Sequence, residues 1–455
     1  MPSGFGLCVV SVFCMWLPFT QRAALTGRAK RGVYRLSTSM QAQISVASLH
    51  ILNNMNRRLF GERWDGLCRR AQKACQRGIT SAAWPHREEN MSFNRRQFFK
   101  SGAIGAGSLA LAAPAIAQNR RELSMVMAWP HNFPGLASIA YNFSKFVEEL
   151  TDGSITIKVN AAGELVGAFE VFDAVGQGTA DCYHASPMFL AGKWQPATFF
   201  GLVPFGLNAN EHCAWMYFGG GEELQEKPYR ELFNLKAMTC GHTGTQMAGW
   251  FNQEINSLED FKGIKMRSSG IAGEVMRRVG ASAVMIPPQE IFTSLQSGAI
   301  DATELCCAWL DSANGFHQYT KYYYAPGWQE VNSAGEIGIN ADVWDSFTDH
   351  ERLIMRHAVQ SANSINIGEW PYYNAKAMDT LRNEHDVDVR LYPDDVLEAL
   401  AKTSAEVIAE LGDTDDYARE IYASWKDYRD TALRYSALVD YPMYRARKIA
   451  FDVGA

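Results

Sequence analysis

The chain carries none of the short signatures that mark covalent catalysis or cofactor chemistry. No cysteine stands in a CxxC, CxxCH or ferredoxin spacing. There is no GxSxG elbow, no Walker loop and no HExxH pair. A Gly-rich stretch, Gly102 to Gly107, lies in a segment that cradles no phosphate. The long acidic body also lacks a basic run: residues 118–455 hold 27 Lys+Arg against 45 Asp+Glu, whereas residues 1–117 hold 16 against 4. Such a field argues against nucleic acid and against an anionic membrane surface as partners. Internal repeats and low-complexity linkers are absent as well.

What is present is a large folding capacity. With 47% hydrophobic residues, 12 Trp, 18 Tyr and 24 Phe in 455 residues, the chain is too aromatic for a disordered protein. It can bury the cores of about two domains. Cys8, Cys14, Cys68 and Cys75 precede residue 118; Cys182, Cys213, Cys240, Cys306 and Cys307 follow it. Five in the body are too few for a disulfide scaffold, and they read best as buried small apolar side chains. A bridge or two is compatible with the count, but sequence does not pair them.

The most specific local feature is Asn94-Arg95-Arg96-Gln97-Phe98-Phe99-Lys100, then SGAIGAGSLALAAPAIA and Gln118. Paired arginines, an apolar stretch and a small-residue site at Ala115-x-Ala117 have the layout of a twin-arginine export signal. The apolar stretch is shorter than the ~20 residues of a membrane-spanning helix. The signal opens at Met91, so residues 1–90 read as an over-long start and 91–117 as a removable leader. The expected mature protein is periplasmic, begins near Gln118 and is not itself inserted in a membrane.

Beyond Gln118 the periodicity alternates. Leu123–Ala128 reads as a strand, Ala137–Leu150 as a helix stopped by Asp152-Gly153, and Ile155–Val159 as a strand of period two. Phe169–Val175 reads as a helix and Ala180–Tyr183 as a strand, with further units at Met276–Val279, Ala283–Ile286 and Ile291–Gln296. From Thr348 to about Asp386 and from Asp394 to about Tyr435 long helical patterns dominate, opened by the capping box Thr348-x-x-Glu351 and interrupted by a strand at Val387–Tyr392. The expected class is α/β: 118–245 form one lobe to which later strands return, and 246–345 supply mainly the second lobe and the crossovers. Residues 346–455 form a helical region packed on both.

Four segments place polar residues in apolar, Gly-flanked surroundings: GHTGTQMAGWF with Gln246, SLEDFKGIKMRSSG with Arg267, IDATE with Glu304, and YYYAPGWQE with Trp328 and Glu330. A guanidinium meets a carboxylate through two parallel hydrogen bonds. Amide, carboxylate and carbonyl oxygens suit a hard cation such as Na⁺ or Ca²⁺. In order, VPFGLNANEHCAWMYFGGG, FKGIKMR and PPQEIFTSLQSGAIDATE resemble blocks of the substrate-binding proteins of tripartite ATP-independent periplasmic (TRAP) transporters, over essentially all of 121–455. The likeness is strongest to the subgroup that binds 2-oxo or 2-hydroxy acids. It implies a two-lobed clam, a small organic carboxylate held by Arg267, and a cation among Gln246, Glu304, Glu330 and the main-chain carbonyl of Leu305. It also implies a membrane permease as partner, no catalysis and no organic cofactor, and it is compatible with a homodimer. Trp328 is the candidate apolar wall.

Each residue has a plainer role open to it. Arg267 can be an inter-lobe salt bridge, Gln246, Glu304 and Glu330 solvated polar groups, and His184 a satisfied structural histidine, while Cys306 and Cys307 can simply pack. The chain also departs from the subgroup, with Leu305 where Trp is common and Pro187-Met188-Phe189-Leu190 where a Tyr-rich turn is common. Those losses lead one to expect a larger or more apolar acid. The alternative class is a twin-arginine-exported oxidoreductase; a periplasmic sensor would use the same clam with another partner.

Overall fold

In ASIAYNFSKFVEEL the apolar side chains recur three and four residues apart. Helix α1 (Ala137–Leu150) buries that stripe through Ala137, Ile139, Ala140, Phe143 and Val147. Asp152 and Gly153, at φ 48° and 73°, turn the chain into the next strand. The computed structural model describes residues 120–268 and 270–451, which belong to a unit spanning 111–455. The expected over-long start (1–90) and leader (91–117) lie outside the described residues.

Strands β1 (Arg121–Met127), β2 (Ile155–Asn160) and β3 (Cys182–Ala185) are parallel, with α1 and α2 (Val171–Gly176) in the crossovers. The α2 and β3 elements each begin about two residues later than the periodicity implies. The N–H groups of Thr179 and Ala180 bond back to the Ala174 carbonyl, so they close the turn after α2 and are lost to the strand. Helices α3 (Ala209–Phe218) and α4 (Gly221–Phe233) lead to β4 (Leu235–His242), which is buried along its whole length.

The second sheet then forms from β5 (Gly249–Phe251), β6 (Lys265–Arg267), β7 (Ser282–Val284), β8 (Ala302–Thr303) and β9 (Tyr322–Ala325). Three short helices punctuate it: α5 (Gly270–Arg278), α6 (Ile291–Gln296) and α7 (Ala308–Ala313). β10 (Ala334–Asn340) returns to the first sheet, where it lies antiparallel between β3 and β4 in the order β2-β1-β3-β10-β4. Gly338 of β10 is opposite Tyr183, and a Cβ there would run into the tyrosine ring, so only glycine fits. After α8 (Ala341–Asp345) and α9 (Asp349–Asn383), β11 (Asp388–Leu391) completes the second sheet as β11-β9-β5-β8-β6-β7.

The 35-residue α9 starts on the expected box: Glu351 N–H donates to Thr348 Oγ1, and Thr348 N–H to the Glu351 carboxylate. It packs on α1 and β4 of one lobe and on α7 of the other. Its buried Asn363 and Asn366 accept the N–H groups of Gly241 and His242, both at 2.8 Å, beside the register shift in the β4–β10 ladder. The pattern from Asp394 to Tyr435 is two helices, α10 (Asp394–Leu411) and α11 (Asp416–Leu438). Gly412 ends the first, and the Asp415 carboxylate caps the second by accepting Ala418 N–H at 2.7 Å. A last helix, α12 (Asp440–Phe451), buries none of its residues. Among the described residues no helix is long and apolar enough to cross a membrane.

β10 also buries a carboxyl group. Glu336 accepts hydrogen bonds from Tyr183 Oη (2.6 Å), Gln225 Nε2 (2.8 Å) and Tyr229 Oη (3.2 Å), yet burial pushes its pKa from 4.5 up to about 8. Between those values the folded state holds a proton that the unfolded chain has released. The stability Glu336 contributes is therefore full below 4.5 and is lost as pH rises through about 8. Thermal melts across that window should show Glu336→Gln with a flatter pH dependence. The difference should reach a few kcal/mol, because each tenfold change in proton affinity is worth roughly 1.4 kcal/mol. A parallel pair of curves would place the proton elsewhere.

Candidate functional site

The four segments singled out in the sequence all follow strand ends. Gln246 lies in the loop from β4 to β5, Arg267 closes β6, Glu304 and Leu305 follow β8, and Trp328 and Glu330 follow β9. Backbone bonds join the segments: Glu304 N–H to Arg267 O (3.2 Å), Met247 N–H to Cys306 O (3.1 Å), Gln246 N–H to Glu330 O (3.2 Å) and Gly327 N–H to Gln246 O (3.0 Å). A Cβ on Gly327 would collide with that Gln246 oxygen, so the turn after β9 needs glycine.

Arg267 and Glu304 form a buried ion pair, each side chain 2% exposed, with Nη1 2.8 Å from Glu304 Oε1. The same Nη1 donates to the Glu304 carbonyl oxygen. β6 and β8 are neighbours in one sheet, so this pair lies within a lobe and does not tie the two lobes together. The buried Nε of Arg267 has no hydrogen-bond partner among the described residues. Gln246 donates from Nε2 to Thr243 Oγ1 at 3.0 Å, and its buried Oε1 has no partner among them either. The Glu330 carboxyl is pushed well above the usual carboxylate range, first by burial and then by the charge of Glu304, against the opposing pull of Arg267.

These groups border a cavity of ≈ 40 Å³ between the lobes. Gln246, Arg267, Leu305, Cys306 and Glu330 line it on one side; Trp129, Met188 and Phe189, which follow β1 and β3, line it on the other. Ends of parallel strands facing a crevice are where such sheets hold ligands. Glu304 is joined to this set through Arg267 and is not itself a lining residue.

Trp328 stands apart. It is buried, stacks on Phe205 at 5.9 Å and is not among the lining residues, so the aromatic wall is Trp129 with Phe189, 5.5 Å from each other. Trp129 is held by His184, whose Nδ1 accepts the indole N–H at 2.9 Å while Nε2 donates to the Cys240 carbonyl at 3.2 Å. Both ring nitrogens are used and burial lowers the pKa to about 4, so His184 is the structural histidine expected. The cavity is also tighter than the departures at 305 and 187–190 imply. Leu305, Met188 and Phe189 fill the wall, leaving space for a few water-sized groups, about 10–15 Å³ each. Sequence reasoning missed Trp129, Thr243 and Ser333. Only Trp129 leaves a local trace, as an aromatic just past the end of a strand.

Among the described residues no three His, Cys, Asp or Glu side chains converge as a metal cluster. The oxygens at this cavity are of another kind, the Glu330 carboxyl group with the Gln246 amide and main-chain carbonyls, and Glu304 stands behind them through Arg267. Two lobes with α9 packed on elements of both, and a cavity between them lined by buried polar groups, define a two-lobed solute receptor.

The chain belongs to the bacterial extracellular solute-binding proteins of family 7, whose model matches residues 125–415. A monocarboxylate 2-oxoacid-binding periplasmic protein of Nostoc is 35% identical over 67% of this chain and 83% of its own length. A TRAP periplasmic solute-binding protein of Pseudoalteromonas atlantica, solved with sodium and pyruvate, is 33% identical, covers 72% of this chain and 99% of its own, and has a TM-score of 0.68. One from Bordetella bronchiseptica, a mixed-occupancy dimer with calcium and picolinate, is 29% identical over 72% and 98%, with a TM-score of 0.70. Family and relatives are binding proteins, and the oxidoreductase alternative finds no support among them.

Proposed function

We propose that the protein is the receptor of a TRAP transporter, which captures a small 2-oxo or 2-hydroxy monocarboxylate with a cation, passes it to membrane permease subunits and catalyses no reaction. The observation that carries this reading is the convergence of buried Arg267, Gln246 and Glu330 on one inter-lobe cavity, with Gln246 Oε1 and Arg267 Nε lacking partners among the described residues. Arg267 would hold the ligand carboxylate. Gln246, Glu304, Glu330 and the Leu305 carbonyl would hold Na⁺ or Ca²⁺, which supplies the positive charge that a third carboxylate requires. The donor chemistry fits a hard cation, and the related structures hold pyruvate with sodium or picolinate with calcium. Trp129, Met188 and Phe189 take the apolar role first given to Trp328.

The same reading extends to export by the twin-arginine route, with the mature chain starting near Gln118, and to a homodimer. Leu438, Tyr441, Met443, Tyr444, Ile449 and Phe451 at the end of α11 and along α12 are all exposed, an apolar surface suited to a second copy. Native mass spectrometry of protein isolated from the periplasm reads all of this together. The expected species is a dimer of chains starting near residue 118, each carrying one Na⁺ or Ca²⁺ and a small organic acid. Chains that retain residues 1–90 would remove the export reading. Protein that never carries or binds a carboxylate would remove the receptor reading.

A further inference from the structure

Cys306 and Cys307 are adjacent in sequence, free, each 2% exposed, and their Sγ atoms lie 3.0 Å apart. They sit where the cavity is built. Cys306 lines it directly after Leu305, and its carbonyl accepts Met247 N–H at 3.1 Å, tying this segment to the loop of Gln246. Cys307 opens α7, its carbonyl accepting Asp311 N–H at 2.9 Å, and its thiol faces the Thr243 carbonyl at 3.9 Å. We propose that this pair is a redox site of the cleft, a dithiol that closes to a vicinal disulfide and so weakens carboxylate binding.

The oxidant is a disulfide, R–S–S–R, small or carried by a thiol–disulfide oxidoreductase. Burial pushes the Cys306 thiol well above its ordinary pKa, so attack belongs to the opened cleft, where water reaches the cavity wall that Cys306 lines. There the Cys306 thiolate attacks the oxidant, forming a mixed disulfide and releasing RS⁻. The Cys307 thiolate then attacks the Cys306 sulfur and releases the second RS⁻. Two cysteine thiols are oxidised, one disulfide is reduced, and the two cysteine protons go to the departing thiolates. The Cα atoms of adjacent residues are about 3.8 Å apart, short of the roughly 4.4–6.8 Å of an ordinary disulfide, so the ring must turn the Cys306–Cys307 peptide. A bridge formed that way is readily reduced again, which suits a reversible switch better than a permanent staple. Turning the peptide draws the Cys306 carbonyl off Met247 and shifts Leu305, in the segment that also carries Glu304.

The effect on binding rests on the receptor reading of this cavity, whereas ring formation does not. The test equilibrates mature protein in reduced or oxidised glutathione, alkylates it after denaturation for peptide mass mapping, and titrates pyruvate and picolinate by calorimetry with Na⁺ or Ca²⁺ present. Oxidised protein should lose two hydrogens on the Cys306–Cys307 peptide and bind about tenfold more weakly, the equivalent of one hydrogen bond, with dithiothreitol restoring affinity. Cys307→Ser, or Cys307→Ala if the serine variant folds poorly, should bind like reduced protein and ignore the oxidant. Full alkylation of both thiols after oxidation would overturn the site, and a ring with unchanged affinity would overturn the switch. Reduced protein that bound neither acid would instead overturn the receptor reading and with it the switch, while the mass map would still decide the ring.

Discussion

Arg267→Lys should fold normally and bind the carboxylate ligand at least about tenfold more weakly, since it keeps the charge and loses the planar fork; one charge-assisted hydrogen bond is worth roughly 1.5–3 kcal/mol. Arg267→Ala should show no measurable binding, and it should also melt lower. Its guanidinium is the partner of a Glu304 carboxylate that is 2% exposed, and stranding one member of such a pair costs about 3–5 kcal/mol. The double variant Arg267→Ala/Glu304→Gln separates the two effects, with the melt recovering and binding staying lost. Calorimetry and melts on the three proteins decide the matter. Normal binding in either single variant would reduce Arg267 to an intra-sheet ion pair.

Removal of the cation should have an effect of similar size. Protein stripped with chelator in sodium-free buffer would have to receive an anion beside two buried carboxyl groups, Glu304 and Glu330. Affinity should fall by about a hundredfold, the equivalent of roughly 3 kcal/mol, and return when Na⁺ or Ca²⁺ is added back separately. Glu330→Gln should bind the cation weakly and the acid with it. Equal affinity in chelated, sodium-containing and calcium-containing protein would leave the two carboxyl groups with another purpose.

Much of this site is local in sequence. Arg267 ends the short strand β6 before Ser268, and Glu304 follows β8, so strand-end chemistry marks both positions. The capping box at Thr348 and the Asp152-Gly153 stop are equally local, because each closes its own backbone bonds. What resisted reading depends on distant partners. Trp129 reaches the cavity only because His184, on a neighbouring strand, holds its indole. Trp328 turns away because Phe205 stacks on it. The break at Gly412 was masked by apolar periodicity that continues on both sides, although Asp415 is a cap in plain view. In α12 the apolar spacing promises a buried face that the single chain does not provide.

The return of β10 to the first sheet constrains how the molecule comes into being. β3 and β4 do not pair with each other; β10 fills the gap, and its register runs from Ile337 to His184 on one side and to Met238 on the other. Until residue 340 has been synthesised, the growing chain holds two open strand edges facing an empty slot. Open edges recruit other chains, and pairings so distant along the chain form late. A nascent or proteolysed fragment ending before 334 should therefore be sticky and unable to finish even its N-terminal lobe. A protein assembled in this way gains from keeping those two edges covered until β10 has paired with both.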